Sequence, residues 1–297
     1  MIKYKILVVL LVEIIVFCFM CCNQKNIYNN QTKVINLGLE NDVNLDVLDN
    51  YVIGVVAAEM PATFSFEALK AQSVAARTFS YRKIIENNIS YKDLKNDQGQ
   101  SYYSIVELKN RWKENYDKYY KRICDAVLST KGEIITYDGY PIKAYYFSTS
   151  NGYTENSISV FKEEPYLLSV SSDWDKESSG YISNLKITKS TFKEKLGIDN
   201  NADITISNIR RSQTNHVDAI TINGKNYTGI EIRKLLGLRS TDFEINDNGN
   251  NELIINTKGY GHGVGMSQTG ANYLANAGKT YKEILKYYYT NVELSTI

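Results

Sequence analysis

The hydrophobic pattern divides the chain into an apolar amino-terminal run, a polar stretch, and a long segment in which helical periodicity gives way to alternation. Ile6 to Cys22 (ILVVLLVEIIVFCFMCC) holds one charge, Glu13, and its length of about 17 residues is near the lower limit for spanning a bilayer. Asn23 to Glu40 is Asn-rich and aperiodic, which reads as a spacer before a folded domain over residues 41–297. Leu45, Leu48, Val52, Val55 and Val56 then recur at helical spacing, and that helix must stop by Met60 because Pro61 restricts the residue before it. Ser65 is an N-cap candidate for a second helix, with Phe66, Leu69, Ser73, Ala76 and Ser80 on one stripe and Lys70, Arg77 and Lys83 on another. Residues 96–104 read as a loop and Val106 to Leu128 as one helix. Strands are predicted at Glu133–Tyr137, Lys143–Thr149 and Tyr166–Ser171, the first two joined by an Asp138-Gly139 hairpin turn. A short helix at Phe192–Leu196, strands at Ile204–Arg210 and Val217–Ile222, and an Asn223-Gly224 turn follow. A helix at Thr228–Leu236, strands at Phe243–Ile245 and Leu253–Asn256, and helices at Gly265–Ala277 and Tyr281–Tyr289 complete the chain. The pattern is mixed α+β, without the βαβ alternation of a doubly wound sheet.

Lys3 and Lys5 precede the apolar run, so the positive-inside rule places residues 1–5 in the cytoplasm, residues 6–22 in the membrane, and the remainder outside. A cleaved signal peptide is the main rival, but bulky residues precede every plausible cut and no A-x-A pattern appears. Phe17, Met20 and Cys21 stand where lipid-attachment signals carry small residues. Beyond the run, Cys124 is the one remaining cysteine; no intrachain disulfide can form there, and the fold must hold by packing.

With 43% hydrophobic residues, 23% charged and 3 Pro in 297 residues, collagen-like, mucin-like and wholly disordered readings are excluded. The net charge of +1 supplies no field for a polyanion and argues against nucleic acid as a partner. The 24 Tyr suit a surface that touches a polar polymer such as glycan, and equally suit a composition in which Tyr replaces other aromatics.

His216 and His262 are the only histidines, so a zinc hydrolase would lack its ligand set, and no H-E-x-x-H spacing is present. Gly265-Met266-Ser267-Gln268-Thr269-Gly270 places the second glycine one residue too late for a nucleophile elbow. Cys124 lies among apolar neighbours, as a packing cysteine does. Three stretches carry candidate chemistry. Glu59 ends an apolar helix where neither dipole nor neighbouring sequence charge favours a carboxylate, which suits a general acid near neutral pH; the alternative is an ion pair with Lys70 or Arg77. Phe147 to Asn156 ends a strand in small hydroxyl and amide residues that suit sugar hydroxyls, or simply a capped turn. Gly259 to Gln268 has glycine at alternate positions, which lets a backbone approach a ligand or adopt positive φ, and leaves His262 without bulky sequence neighbours to bury it.

Tyr51-Val52-Ile53-Gly54-Val55-Val56-Ala57-Ala58-Glu59-Met60-Pro61, Glu67 to Thr78, the Ser-Thr-Ser-x-Gly-Tyr-Thr-Glu-Asn element and Gly-Tyr-Gly-His-Gly-Val-Gly-Met-Ser-Gln together resemble the stage II sporulation protein D (SpoIID) family, in family order from about Leu45 to the C-terminus. The resemblance implies a membrane-anchored lytic transglycosylase that cuts peptidoglycan glycan strands during engulfment in endospore formation. It puts the catalytic acid on Glu59 and places Gln72, Arg77, Ser148, Thr149, Ser150, Tyr153, His262, Met266, Ser267 and Gln268 along a substrate cleft. It implies no cofactor, and as partners a sporulation amidase and a membrane scaffold protein. Some relatives bind zinc through a Cys and His-Cys element after the second helix; Asn96-Asp97-Gln98-Gly99-Gln100-Ser101 has neither residue type, which argues against that metal here. Related domains include amidase enhancers, so the alternative is a non-catalytic glycan-binding module that activates a partner amidase.

Overall fold

A computed structural model describes residues 45–88, 93–94 and 99–297. The expected tail, membrane anchor and spacer, and most of the 96–104 loop's first half, lie outside the described residues. Among the described residues no helix is long and apolar enough to cross a membrane.

The fold is mixed α+β with mainly antiparallel sheets, and two hydrophobic cores divide it into two lobes. In the first lobe, α1 (Leu45–Glu59) and α2 (Phe66–Asn87) are followed by α3 (Ile105–Trp112) and α4 (Tyr116–Leu128). The predicted Val106–Leu128 helix is therefore two helices, broken where Lys113 takes a positive φ of 47° and residues 113–115 form a single tight turn. Asn115 and Lys113 offer that break no opposing propensity, and the helical period runs through it unaltered.

Helix α2 is the central strut, in contact with α1, α4, strand β1 (Glu133–Tyr137), α7 (Gln268–Asn276) and α8 (Tyr281–Tyr288). It is buried from Ala68 to Ala76 on nearly every face rather than on one stripe. Its alanines let neighbours come close. The Ser73 and Thr78 hydroxyls donate to the carbonyls of Leu69 and Val74, each at 2.7 Å, and the Ser80 hydroxyl shares its one proton between the Ala76 carbonyl at 2.9 Å and Gln100 Oε1 at 2.7 Å, so their burial leaves no orphaned donor. Arg77 is fully buried on this helix. Its Nε donates to Asp49 of α1 at 2.7 Å, Nη2 to the Val127 carbonyl at 2.9 Å and Nη1 to the Glu133 carbonyl at 3.2 Å. The side chain expected to meet substrate instead ties α1, α2, α4 and β1 together.

Strand β1 pairs with β2 (Tyr140–Pro141) across the Asp138-Gly139 turn, both of whose residues have positive φ, and on its other edge with β11 (Glu293–Thr296). The hairpin partner is thus two residues long, and the predicted Lys143–Thr149 strand shrinks to β3 (Tyr146–Phe147), paired in parallel with β10 (Met266–Ser267). Tyr166–Ser171 is not a strand; Ser171 makes only an isolated bridge with Tyr153. Cys124 is buried in the first core.

The second lobe lies between β4 (Ile182–Thr188) and β9 (Glu252–Lys258). One of its sheets has the order β4-β9-β8, with β8 at Asp242–Asp247, and the other is the meander β5 (Ile206–Arg211), β6 (Val217–Ile222), β7 (Lys225–Thr228). Helices α5 (Lys189–Leu196) and α6 (Gly229–Leu236), capped by Thr188 and Thr228 side chains, supply Phe192, Leu196, Ile232 and Leu236 to its core. The domain expected over 41–297 as one unit therefore carries an inserted lobe with its own core.

Removing one member of a buried ion pair leaves an uncompensated charge, at a cost of about 3–5 kcal/mol. Asp49→Ala is expected to lose that much in urea unfolding with an unchanged m-value. A loss below about 1 kcal/mol, the scale of an exposed pair, would contradict the role given to Arg77.

Candidate functional site

Glu59 sits at the last turn of α1, partly exposed, behind the fully apolar face of Val52, Val55 and Val56. The segment 101–103 runs alongside this helix because Gly54 has no side chain; a Cβ there would collide with the Tyr102 ring. Tyr102 stacks on Tyr51 at 5.5 Å between ring centroids and 6° between planes, and the Tyr103 N–H donates to the Gly54 carbonyl at 3.2 Å. This close approach delivers the Ser101 N–H to Glu59 Oε1 at 2.6 Å. The two cations that sequence offered Glu59 are engaged elsewhere, Lys70 with Glu67 at 2.8 Å and Arg77 with Asp49. Among the described residues Glu59 makes no ion pair.

Next to Ser101, Gln100 reaches the phenol of Tyr146 on β3, its Nε2 donating at 3.0 Å. Glu59, Ser101, Gln100 and Tyr146 thus form one polar cluster, three of whose members the sequence did not single out. Tyr146 lay beside the Ser-Thr-Ser element in the run Ala144-Tyr145-Tyr146-Phe147, a usable signal; Gln100 and Ser101 lay in a loop with none.

The Gly-rich segment does not face open space. Gly261 and Gly265 have φ of +124° and +81°, and a Cβ on either would strike Phe147 or the Tyr145 carbonyl, so glycine is required for packing against β3. His262 is consequently enclosed by residues remote in sequence, with Phe161, Phe147 and Tyr145 ring centroids at 5.2, 5.7 and 6.0 Å. Its Nδ1 accepts the Val264 N–H at 3.1 Å, which puts the proton on Nε2, and that proton goes to the Tyr146 carbonyl at 3.1 Å. Burial, with a smaller contribution from Arg233, pushes its pKa down to about 4. It is a neutral histidine that holds β3 in place.

Most of the other residues expected in the cleft face inward. Gln72, Met266 and Ser267 are fully buried, and Thr149, Ser150 and Gln268 nearly so. Gln268 Nε2 meets Gln72 Oε1 at 3.4 Å. Thr149 exchanges two backbone bonds with Tyr260, at 2.9 and 2.7 Å, and its hydroxyl meets that of Thr269 at 2.9 Å. The Ser150 N–H and the Ser267 hydroxyl donate to one oxygen of Asp175, at 2.7 and 2.6 Å, while Ser267 Oγ also caps α7 by accepting the Gly270 N–H. Asp175 is fully buried, and burial pushes its carboxyl above the usual range against the pull of these donors. From the hydroxyl-rich element Ser148 and Asn156, partly exposed, and Tyr153, about half exposed, reach solvent.

That element is instead the seam between the lobes. Asn151 Nδ2 donates to Asp242 at 2.8 Å and to the Thr214 carbonyl at 2.6 Å, and Glu155 accepts from the Ser212 hydroxyl at 2.9 Å. His216 Nε2 lies 3.8 Å from the same Glu155 oxygen, while its Nδ1 meets Thr241 Oγ1 at 2.8 Å. Burial pushes the His216 pKa down to about 4, with Arg233 and Arg211 adding to it, and raises that of Glu155. His216 is therefore neutral at neutral pH, and at 3.8 Å its Nε2 makes neither an ion pair nor a hydrogen bond with Glu155. Among the described residues no group of three His, Cys, Asp or Glu side chains could hold a metal ion.

Residues 38–137 match the family model described as "SpoIID: Stage II sporulation protein". Stage II sporulation protein D of Bacillus subtilis (strain 168) is 47% identical over 255 residues, covering 84% of this chain and 74% of that protein. The protein of the same description from Bacillus amyloliquefaciens is 46% identical over 255 residues with the same coverage. An amidase enhancer of Bacillus subtilis (strain 168) is 30% identical over 299 residues, covering 82% of this chain and 40% of the enhancer.

Between about pH 6.5 and about pH 4 the unfolded chain binds protons at His216 and His262 that the native chain refuses, so each removes stability as pH falls, by up to about 1.4 kcal/mol per unit. Glu155 and Asp175 act in the opposite sense: their raised values give stability that is present at low pH and lost as pH rises through them. Comparing wild type with His216→Asn isolates the histidine. Urea unfolding across this range is expected to show a shallower fall in the variant; parallel curves would contradict a neutral native His216.

Proposed function

The chain belongs to the stage II sporulation protein D family, a sporulation family, and from that premise we propose that it is a lytic transglycosylase with Glu59 as its catalytic acid and base. The substrate is the glycan strand of peptidoglycan, cut during engulfment to leave 1,6-anhydro-muramic acid ends. The observation that carries the reading is the state of Glu59: a carboxyl group at the end of an apolar helix, free of ion pairs among the described residues, oriented through one oxygen by the Ser101 N–H.

A protonated Glu59 donates to the glycosidic oxygen as the C1–O bond breaks and the leaving sugar departs as an alcohol. The resulting carboxylate takes the proton of the muramic acid C6 hydroxyl as that oxygen bonds to C1, which closes the anhydro ring and restores the acid. Both proton transfers use one carboxyl group, so no second carboxylate at the spacings of ordinary two-carboxylate glycosidases is required. The Ser101 N–H stabilises the carboxylate formed between the two steps.

The similarity to an amidase enhancer favours a second reading, in which the chain grips glycan and activates a partner amidase without cutting. In either reading the apolar run after Lys3 and Lys5 anchors the chain in the cell membrane as a single pass, with the domain outside, beside the sporulation amidase and a membrane scaffold protein. The full chain is expected in membrane fractions with its C-terminus accessible from outside the cytoplasm; a soluble form beginning near Asn23 would overturn this placement.

Glu59→Gln keeps shape and hydrogen bonding but removes the transferable proton. Release of anhydro-muropeptides is expected to fall by about 10² to 10⁴-fold, with melting temperature and glycan binding retained. A variant that forms anhydro ends at near the wild-type rate would sink the assignment. If the wild-type protein forms none and only stimulates an amidase, the second reading holds instead.

A further inference from the structure

The phenol of Tyr146 has a defined hydrogen-bond polarity. Gln100 Nε2 donates to the Ala76 carbonyl at 3.3 Å, an acceptor that cannot donate, and Gln100 Oε1 accepts the Ser80 hydroxyl at 2.7 Å. These two bonds fix which end of the amide is nitrogen. The remaining N–H of that nitrogen therefore points at Tyr146 Oη, which must accept it, at 3.0 Å. Behind β3, the His262 Nε2–H holds the Tyr146 carbonyl at 3.1 Å, so backbone and ring are both constrained. The phenol's own proton is left over: among the described residues no atom accepts it. The ionisable groups acting on this phenol are Glu59 and Tyr51 from α1 and Tyr289 after α8, and of these Glu59 acts most strongly. Burial, and after it the Glu59 charge, hold the phenol well above its ordinary pKa, so it remains a donor at any working pH.

We propose that Tyr146 is a positioning residue for the reaction: held by Gln100 as an acceptor, it presents its hydroxyl proton to the Glu59 carboxylate that forms once the glycosidic oxygen has been protonated. This rests on the reading of Glu59 as the catalytic acid. A donor whose partner acquires charge only during reaction binds the transition state more tightly than the ground state, and so acts on kcat rather than on KM. Together with the Ser101 N–H it gives Glu59 two donors from different directions, one backbone and one side chain. The hydrogen bond forms in the reacting complex; in the free protein the Glu59 contact that is made is the one from Ser101.

Tyr146→Phe removes the hydroxyl and keeps the ring packing; it also strips the Gln100 N–H of its acceptor. Its expected effect is a fall in kcat for anhydro-muropeptide release on the order of 10²-fold, the scale of removing one preorganised donor, with KM nearly unchanged and the melting temperature lowered only by the loss of that one hydrogen bond. The basic limb of the pH–rate profile is expected to move to higher pH, because a carboxylate that has lost a donor holds its proton longer. Gln100→Glu provides the second variant: it keeps the chain length but replaces the donor with an acceptor, which turns the phenol proton toward residue 100. It should lose rate to a similar extent although the phenol is present, and the double variant should lose little more than either alone. A Tyr146→Phe enzyme with wild-type kcat and an unmoved pH profile overturns the proposal, as does a loss that appears only in KM or only in melting temperature. If Glu59→Gln is inactive while Tyr146→Phe is wild type, only this inference fails. If Glu59→Gln is active, the acid assignment fails, and with it this one.

Discussion

The buried contact between Arg77 and Asp49 fixes the frame on which the rest of the first lobe depends. A guanidinium taken out of water is tolerable only with a countercharge and with its other N–H groups bonded. Here it finds the countercharge on α1 and carbonyls at the end of α4 and the start of β1. Four elements are placed by one side chain, and two of them lead to the chemistry: α1 carries Glu59 at its far end, and α2 carries Ser80 and Ala76, which orient Gln100. A planar fork with several fixed donor directions suits this task; lysine, with one point charge, does not.

Legibility in the sequence followed the range of the determining contacts. Where a boundary is set by neighbours in the chain, reading was accurate: Pro61 ends α1, Asp138-Gly139 and Asn223-Gly224 adopt the positive-φ turns their composition favours, and the apolar alternation of Val217–Ile222 marks β6 at its observed bounds. Ile182–Thr188 escaped detection because its residues alternate too weakly in polarity, and it becomes a strand only by pairing with β9. Glu59 was identifiable as an anomaly, but its lack of an ion pair among the described residues was not, since that depends on Asp49 and Glu67 claiming Arg77 and Lys70. The hydroxyl-rich element and the Gly-rich segment were recognisable as unusual, yet their composition could not distinguish residues that meet a ligand from residues that meet each other. Their partners, Asp175, Asp242 and Tyr260, are distant in sequence and carry no local signal.

The lobe inserted between β4 and β9 has a consequence for how the chain assembles. The parallel pairing of β3 with β10 and the Thr149–Thr269 contact join positions 120 residues apart. A flexible loop of that length would impose a substantial closure entropy before any contact repaid it. The insert carries its own core and largely local strand pairings, with β5, β6 and β7 consecutive and β8 next to β9. Once it has collapsed, its entry at Tyr181 and its exit at Gly259 are joined by a 2.7 Å backbone bond, and the long loop becomes a short one. The Gly-rich segment can then settle on β3, enclose His262 and align Tyr146. The lobe that bears none of the proposed chemistry thus shortens the closure that seats β10 against β3 and holds the Tyr146 backbone in place.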